Sequence, residues 1–208
     1  MIYLATPPTE DRAALYRRHG IGVMLTPARW GRPDTTTYTA WAADTGCFTK
    51  PDSFDLGQYL AWLDPFPRDA LFITAPDRLA DPAATWTVAE PVLPLLRDHG
   101  FRAALVAQDG LTDPPWDEFD CLFIGGTTRW KLSEDAYRLA DQACERNKWV
   151  HMGRVNSFRR LRAASLSLFD SADGNYTGFG PDVNLPKLIG WLQHLDTNRH
   201  LWSPTLGV

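Results

Sequence analysis

Short apolar runs alternate with longer amphipathic ones along the whole chain. The runs at 2–5, 21–25, 38–43, 70–74, 101–107, 121–124, 149–152 and 166–169 place apolar or small residues on consecutive positions. Strands buried on both faces read this way. The segments at 10–19, 55–63, 82–99, 133–147, 157–164 and 185–194 are predicted helices. Gly20 stops the first, and Pro65 and Pro67 close the second. Pro91 and Pro94 predict a kink inside 82–99. Ser133, followed by Glu134 and Asp135, marks a helix start, because a hydroxyl caps the free amides and the dipole favours acids in the first turn.

Strands that alternate with helices form a parallel sheet with right-handed crossovers. Eight such strands predict a compact (β/α)8 barrel, one domain over residues 1–208. The rival is an open doubly wound sheet. It would place a glycine-rich phosphate turn after the first strand, where this chain reads LATPPTED.

Charge and cysteine usage narrow the chemistry. The 208 residues carry a net charge of −4, which gives no global attraction to nucleic acid but leaves room for a local basic patch. Cys47, Cys121 and Cys144 form no CxxC pair. The five histidines show neither HExxH nor i, i+4 spacing, so a structural metal is not expected. No apolar run is long enough to span a membrane, and MIYLATPPTEDR lacks the basic and apolar regions of a signal peptide, so the expected location is the cytoplasm.

The residues that follow each predicted strand carry the functional signal. They are Asp44-Thr45-Gly46, Pro76-Asp77, Gln108-Asp109-Gly110, Gly125-Gly126-Thr127, Gly153-Arg154 and Asp170-Ser171. Polar loops account for any one of them. As a set they place three carboxylates, Asp44, Asp77 and Asp170, with Gln108 at the C-terminal mouth, where barrels hold their sites. Such a group suits attack on a sugar carbon by one carboxylate and proton transfer by another. Asp173, in the Asp-Gly step of SLFDSADG, is the second nucleophile candidate, although that step is also an ordinary turn.

In this order the residues resemble the tRNA-guanine transglycosylase superfamily, (β/α)8 barrels that exchange guanine for a 7-deazaguanine through an aspartyl–sugar intermediate. AADTGCF at 42–48 is similar to the family's Asp-Ser-Gly-Gly-Phe segment, which implies a proton-shuttling role for Asp44. TAPDRLAD at 74–81 and LVAQDG at 105–110 resemble the base-binding segments, implying that Asp77 and Gln108 read the base. FIGGTT at 123–128 resembles the glycine pair that contacts the base, here Gly125 and Gly126, and SLFDS at 167–171 resembles the nucleophile segment, here Asp170. The family's CxCxxC…His zinc motif is absent from the sequence. The zinc-free branch of phages and bacterial modification islands, which inserts bases such as preQ0 into DNA, is the better likeness.

That resemblance implies a DNA guanine transglycosylase, with guanine as leaving base and tRNA as the alternative substrate polymer. The reaction it implies needs no metal or redox cofactor. Arg154 is placed to bind phosphate at the seventh strand end, and Arg129, Lys131, Arg159 and Arg162 are candidates to track a nucleic-acid backbone, or else to form a solvated basic face. Trp130 is a candidate base-stacking residue. An N-glycosidase or nucleoside hydrolase using the same carboxylates, and a non-enzymatic nucleic-acid-binding barrel, are the competing readings.

Overall fold

A computed structural model describes residues 1–27, 34–46, 51–166 and 168–199. Cys47 and Phe48 of the AADTGCF stretch, and Ser167 of SLFDS, lie outside the described residues. Eight parallel strands close into a barrel in sequence order: β1 (Ile2–Ala5), β2 (Gly22–Leu25), β3 (Trp41–Ala43), β4 (Ile73–Thr74), β5 (Ala103–Ala107), β6 (Cys121–Ile124), β7 (Trp149–Met152) and β8 (Ser171–Gly174). β8 returns to pair with β1, Ile2 opposite Ser171 and Ala5 opposite Gly174.

The helices among the described residues are α1 (Glu10–Arg18), α2 (Leu56–Leu63), α3 (Pro82–Ala89), α4 (Leu93–Asp98), α5 (Thr128–Lys131), α6 (Glu134–Glu145), α7 (Phe158–Ser165) and α8 (Pro181–Arg199). Side-chain caps start most of them. Asp55 accepts from the Gln58 amide, Asp81 from Ala84, Ser133 from Ala136 and Ser157 from Arg160, each contributing about 1 kcal/mol. α6 buries Ala136, Leu139, Ala140 and Ala143, one face at helical spacing.

Strand alternation divides the core in two. Leu4, Ala42, Phe72, Ala104, Val106, Cys121 and Phe123 fill the barrel interior. Their neighbours in sequence, such as Ala5, Ala43, Ile73, Leu105, Leu122 and Val150, point outward to the helices.

Three expectations need correction. The predicted helix 82–99 is two helices, α3 and α4, with Pro94 in the first turn of the second, where a missing amide hydrogen costs nothing. The predicted eighth strand at 166–169 is not a strand: Leu166 caps the end of α7 and Leu168 lies in a turn. Leu166 and Leu168 are 55% and 48% exposed, so the apolar run is not a core strand. The strand that closes the barrel is the small, polar SADG. The last helix begins at Pro181 rather than at 185. Among the described residues no helix is long and apolar enough to cross a membrane.

Candidate active site at the barrel mouth

The inward positions of successive strands converge at the C-terminal mouth. Continuing the inward register past Ala42 on β3 gives Asp44, and past Phe72 on β4 gives Thr74. Past Val106 it gives Gln108, past Phe123 Gly125, past His151 Gly153, and past Ser171 Asp173.

Asp44 accepts from the Thr74 hydroxyl at 3.2 Å and from the Gly46 amide at 3.4 Å. Burial raises its carboxyl above the ordinary range, and the charge of Asp173 adds to the shift. Asp77 accepts from Gln108 Nε2 at 2.6 Å. Burial first, then the nearby Asp44, push its carboxyl up to about 6.

Gln108 is 1% exposed, and its Oε1 accepts from the Ala80 amide at 2.9 Å. Both ends of the carboxamide are therefore engaged by protein. In this arrangement Gln108 holds the Asp77 carboxylate and the Ala80 amide together.

The expected nucleophile, Asp170, does not lie at the mouth. Asp170 precedes β8 and lies at the opposite, N-terminal end of the barrel. Its backbone amide donates to Val150 O at 2.9 Å, and its carboxylate accepts from the Val150 amide at 2.8 Å. It is exposed and far from the mouth. The error follows from placing the strand at 166–169, which made Asp170 its C-terminal end.

Asp173 is the residue of this segment that reaches the mouth. Its Oδ1 receives His151 Nε2 at 3.1 Å and the Arg154 amide at 3.1 Å. Among the described residues nothing donates to its Oδ2. Its signal in the sequence was the Asp-Gly step alone, which a turn explains equally well.

Gly125 and Gly153 keep the mouth open. A Cβ on Gly125 would come within 2.6 Å of Val106 Cγ1, and one on Gly153 would collide with the Phe123 ring. Gly126 has a φ of +66°, and its carbonyl accepts from the Arg154 guanidinium. Arg154 itself has a φ of +56°, a left-handed turn that points its amide at Asp173 while its side chain spans to the β6 loop. Arg160 Nη1 steadies the turn by donating to Arg154 O at 2.8 Å.

The basic candidates separate. Arg129, Arg159 and Arg162 are exposed, the first two at helix starts on the mouth side. Lys131 is 1% exposed and donates to Gly153 O at 2.6 Å, so it braces the β7 loop and does not belong to a surface patch. Burial first, then Arg154, lower its ammonium to about 8. Trp130 is also buried, 7% exposed, which corrects its expected place as a stacking platform. Among the described residues no group of three or more His, Cys, Asp or Glu is arranged to hold a metal ion.

His151 is the site residue that sequence reasoning missed. It is fully buried inside the barrel, between the rings of Phe72 and Phe123, with centroids 4.8 and 4.5 Å away. WVHM reads as an apolar strand with one stray histidine, and nothing in its local pattern points to the mouth.

No family model matches the chain, and no curated protein matches it. Similar solved structures exist. A chain of the Amycolatopsis orientalis BexX/CysO complex is 12% identical, with a TM-score of 0.58 and coverage of 99% of this chain and 94% of that one. Tryptophan synthase from M. tuberculosis, in an aminoacrylate-bound form, is 13% identical, with a TM-score of 0.53 and coverage of 94% and 90%. At such identities the likeness is one of fold, and the fold is a (β/α)8 barrel.

Proposed function

We propose that this chain is an enzyme of the base-exchange glycosyltransferase type, a DNA guanine transglycosylase in which Asp173, rather than Asp170, is the nucleophile. One observation carries the reading. Asp173 Oδ1 is engaged by His151 Nε2 and the Arg154 amide, both at 3.1 Å, nothing among the described residues donates to Oδ2, and the charge of Asp173 reaches Asp44, which in turn reaches Asp77.

Asp173 Oδ2 attacks C1′ of the target deoxyguanosine. The C1′–N9 bond breaks, and its electron pair leaves with guanine. Asp44, whose burial favours the protonated carboxyl, supplies the proton. The incoming 7-deazaguanine, of which preQ0 is the simplest candidate, returns a proton to Asp44 and attacks C1′, releasing Asp173. Asp77, braced by Gln108, accepts from the N–H edge of either base. The mouth takes a nucleotide flipped out of its stack, and Arg129 and Arg159 lie on the side where the flanking phosphates would pass.

The test combines the protein with guanine-containing DNA or tRNA, labelled guanine and preQ0. A denaturing gel then follows protein–nucleic acid adducts, and counting follows exchange. A DNA adduct with exchange is expected. Exchange into tRNA alone reassigns the polymer. Base release without exchange supports the hydrolase. Absence of adduct, exchange and release on both polymers overturns the proposal.

A further inference from the structure

A polar chain threads the apolar interior of the barrel. β7 turns Trp149 and His151 inward, and β8 turns Ser171 and Asp173 inward. The register sets His151 opposite Ser171. Rising toward the mouth, Trp149 Nε1 donates to Ser171 Oγ at 2.8 Å. Ser171 Oγ and His151 Nδ1 are 2.8 Å apart, and His151 Nε2 and Asp173 Oδ1 are 3.1 Å apart.

Donor counting gives this chain one direction. An indole nitrogen only donates, so Ser171 Oγ accepts from below. Ser171 makes no other side-chain hydrogen bond among the described residues, so its single hydrogen has one acceptor available, His151 Nδ1. Nε2 then carries the ring proton and donates to Asp173 Oδ1. With the proton on Nδ1 instead, Ser171 would receive two donors and its own hydrogen would have no acceptor. Asp173 Oδ1 would then face a bare imidazole lone pair.

Ser, His and Asp in contact invite comparison with a hydrolytic triad, but the order here is inverted. Ser171 is fully buried at the far end, below a histidine that is itself fully buried. No substrate reaches that hydroxyl. The group delivered to the mouth is the carboxylate.

Energetics argue that the chain is not packing alone. A serine and an imidazole buried in a barrel interior cost several kcal/mol unless their hydrogen bonds are complete. Apolar residues of similar volume would fill the space without that demand.

We infer that His151 is the positioning residue for Asp173, and that the chain from Trp149 through Ser171 and His151 selects which carboxylate oxygen meets the substrate. The inference rests on the reading of Asp173 as the reacting group. His151 fixes the carboxylate plane from below while the Arg154 amide fixes it from the side, so Oδ2 is presented in one orientation. Holding the attacking atom in one near-attack geometry acts on the rate of attack rather than on base binding.

Two measurements test this separately from the proposed reaction. The first is nitrogen-15 NMR of histidine-labelled protein, with His151→Phe assigning the resonance. Wild type should show a protonated Nε2 and an unprotonated Nδ1. Ser171→Ala should move the Nδ1 shift, since its donor is lost. A ring protonated at Nδ1 alone overturns the chain whether or not the protein exchanges bases.

The second is single-turnover adduct formation. His151→Phe keeps an aromatic ring between Phe72 and Phe123 but removes the donor. It should lower the rate roughly 10–100-fold with little change in base affinity. His151→Gln, which retains an N–H donor, should recover part of that loss. A wild-type rate in His151→Phe overturns the positioning role. If His151→Phe does not fold, a wild-type rate and unchanged Nδ1 shift in Ser171→Ala do so. If wild type forms no adduct while the Nε2 tautomer is present, the chain stands and the transglycosylase reading falls.

Discussion

Asp170 and Asp173 lie three residues apart and serve opposite ends of the barrel. Asp170 accepts the Val150 amide at 2.8 Å beneath β8, and Asp173 accepts the Arg154 amide at 3.1 Å in the mouth. Three residues of strand span about 10 Å, so one carboxylate cannot substitute for the other. Asp173→Asn should abolish the covalent adduct while the protein stays folded. Asp170→Asn should leave adduct formation near wild type, and Asp170→Ala should cost about 1 kcal/mol in denaturant unfolding, the worth of one partly exposed hydrogen bond. Loss of the adduct in Asp170→Asn alone would restore the original assignment.

Asp77 carries a pH dependence that tests its proposed role in recognition. Its carboxyl is pushed up to about 6 from 3.8, mainly by burial and then by Asp44. Between those values the folded chain keeps a proton that the unfolded chain has released. Stability therefore falls as pH rises through that window, and Asp44 contributes with the same sign. Asp77→Asn removes the penalty and should stabilise the protein at pH 7 by on the order of 1–2 kcal/mol. The same variant should lose guanine and preQ0 binding. In wild type, titration calorimetry should show affinity for these bases declining below about pH 6, as the acceptor becomes protonated. Affinity flat from pH 5 to 8 would remove Asp77 from the recognition site.

Periodicity carried the barrel well for seven of its strands, because their residues are almost all apolar or small. It failed at β8 for a physical reason. Ser171 and Asp173 face inward through hydrogen bonds, while Ala172 is small and Gly174 is hemmed in by the Tyr3 hydroxyl, Asn156 and the Val155 carbonyl, so the strand has no large apolar residue. The leucines at 166 and 168 mimic the missing strand from a turn. That slip put Asp170 at the mouth in place of Asp173 and hid His151, whose partners are on the strand that hydropathy does not see. Asp44 and Asp77 were legible because each follows a conventional apolar strand. Lys131 was misread for the converse reason. A lysine two residues after an arginine reads as surface, but Lys131 is 1% exposed, its ammonium held by the Gly153 carbonyl.

Lys131 makes an alkaline prediction. Burial, then Arg154, lower its ammonium from 10.5 to about 8, so the folded chain releases that proton first. Between those values the unfolded chain holds more protons, and stability rises with pH. Urea unfolding of wild type and Lys131→Met at pH 8 and pH 10 should show the difference moving in favour of wild type by on the order of 1–2 kcal/mol. A difference independent of pH would mean that the ammonium is not desolvated.

Gly153 concentrates several of these contacts in one backbone unit. Its carbonyl receives Lys131 Nζ at 2.6 Å, and the next amide, that of Arg154, donates to Asp173 at 3.1 Å. A Cβ there would collide with the Phe123 ring, which is confined by His151 at 4.5 Å and Phe72 at 6.0 Å. Phe123 cannot yield without disturbing the His151 ring that contacts Asp173. Gly153→Ala should therefore destabilise by about 1–3 kcal/mol through overpacking, and should slow adduct formation beyond what reduced folding explains. Gly110→Ala is the matched control. Gly110 has a φ of +86° but nothing within 4 Å of the added carbon, so backbone strain alone should cost about 1 kcal/mol. Its adduct rate should be unchanged. Equal rates in the two variants would show that the mouth tolerates a displaced Arg154 amide, and that this amide does not help to hold Asp173.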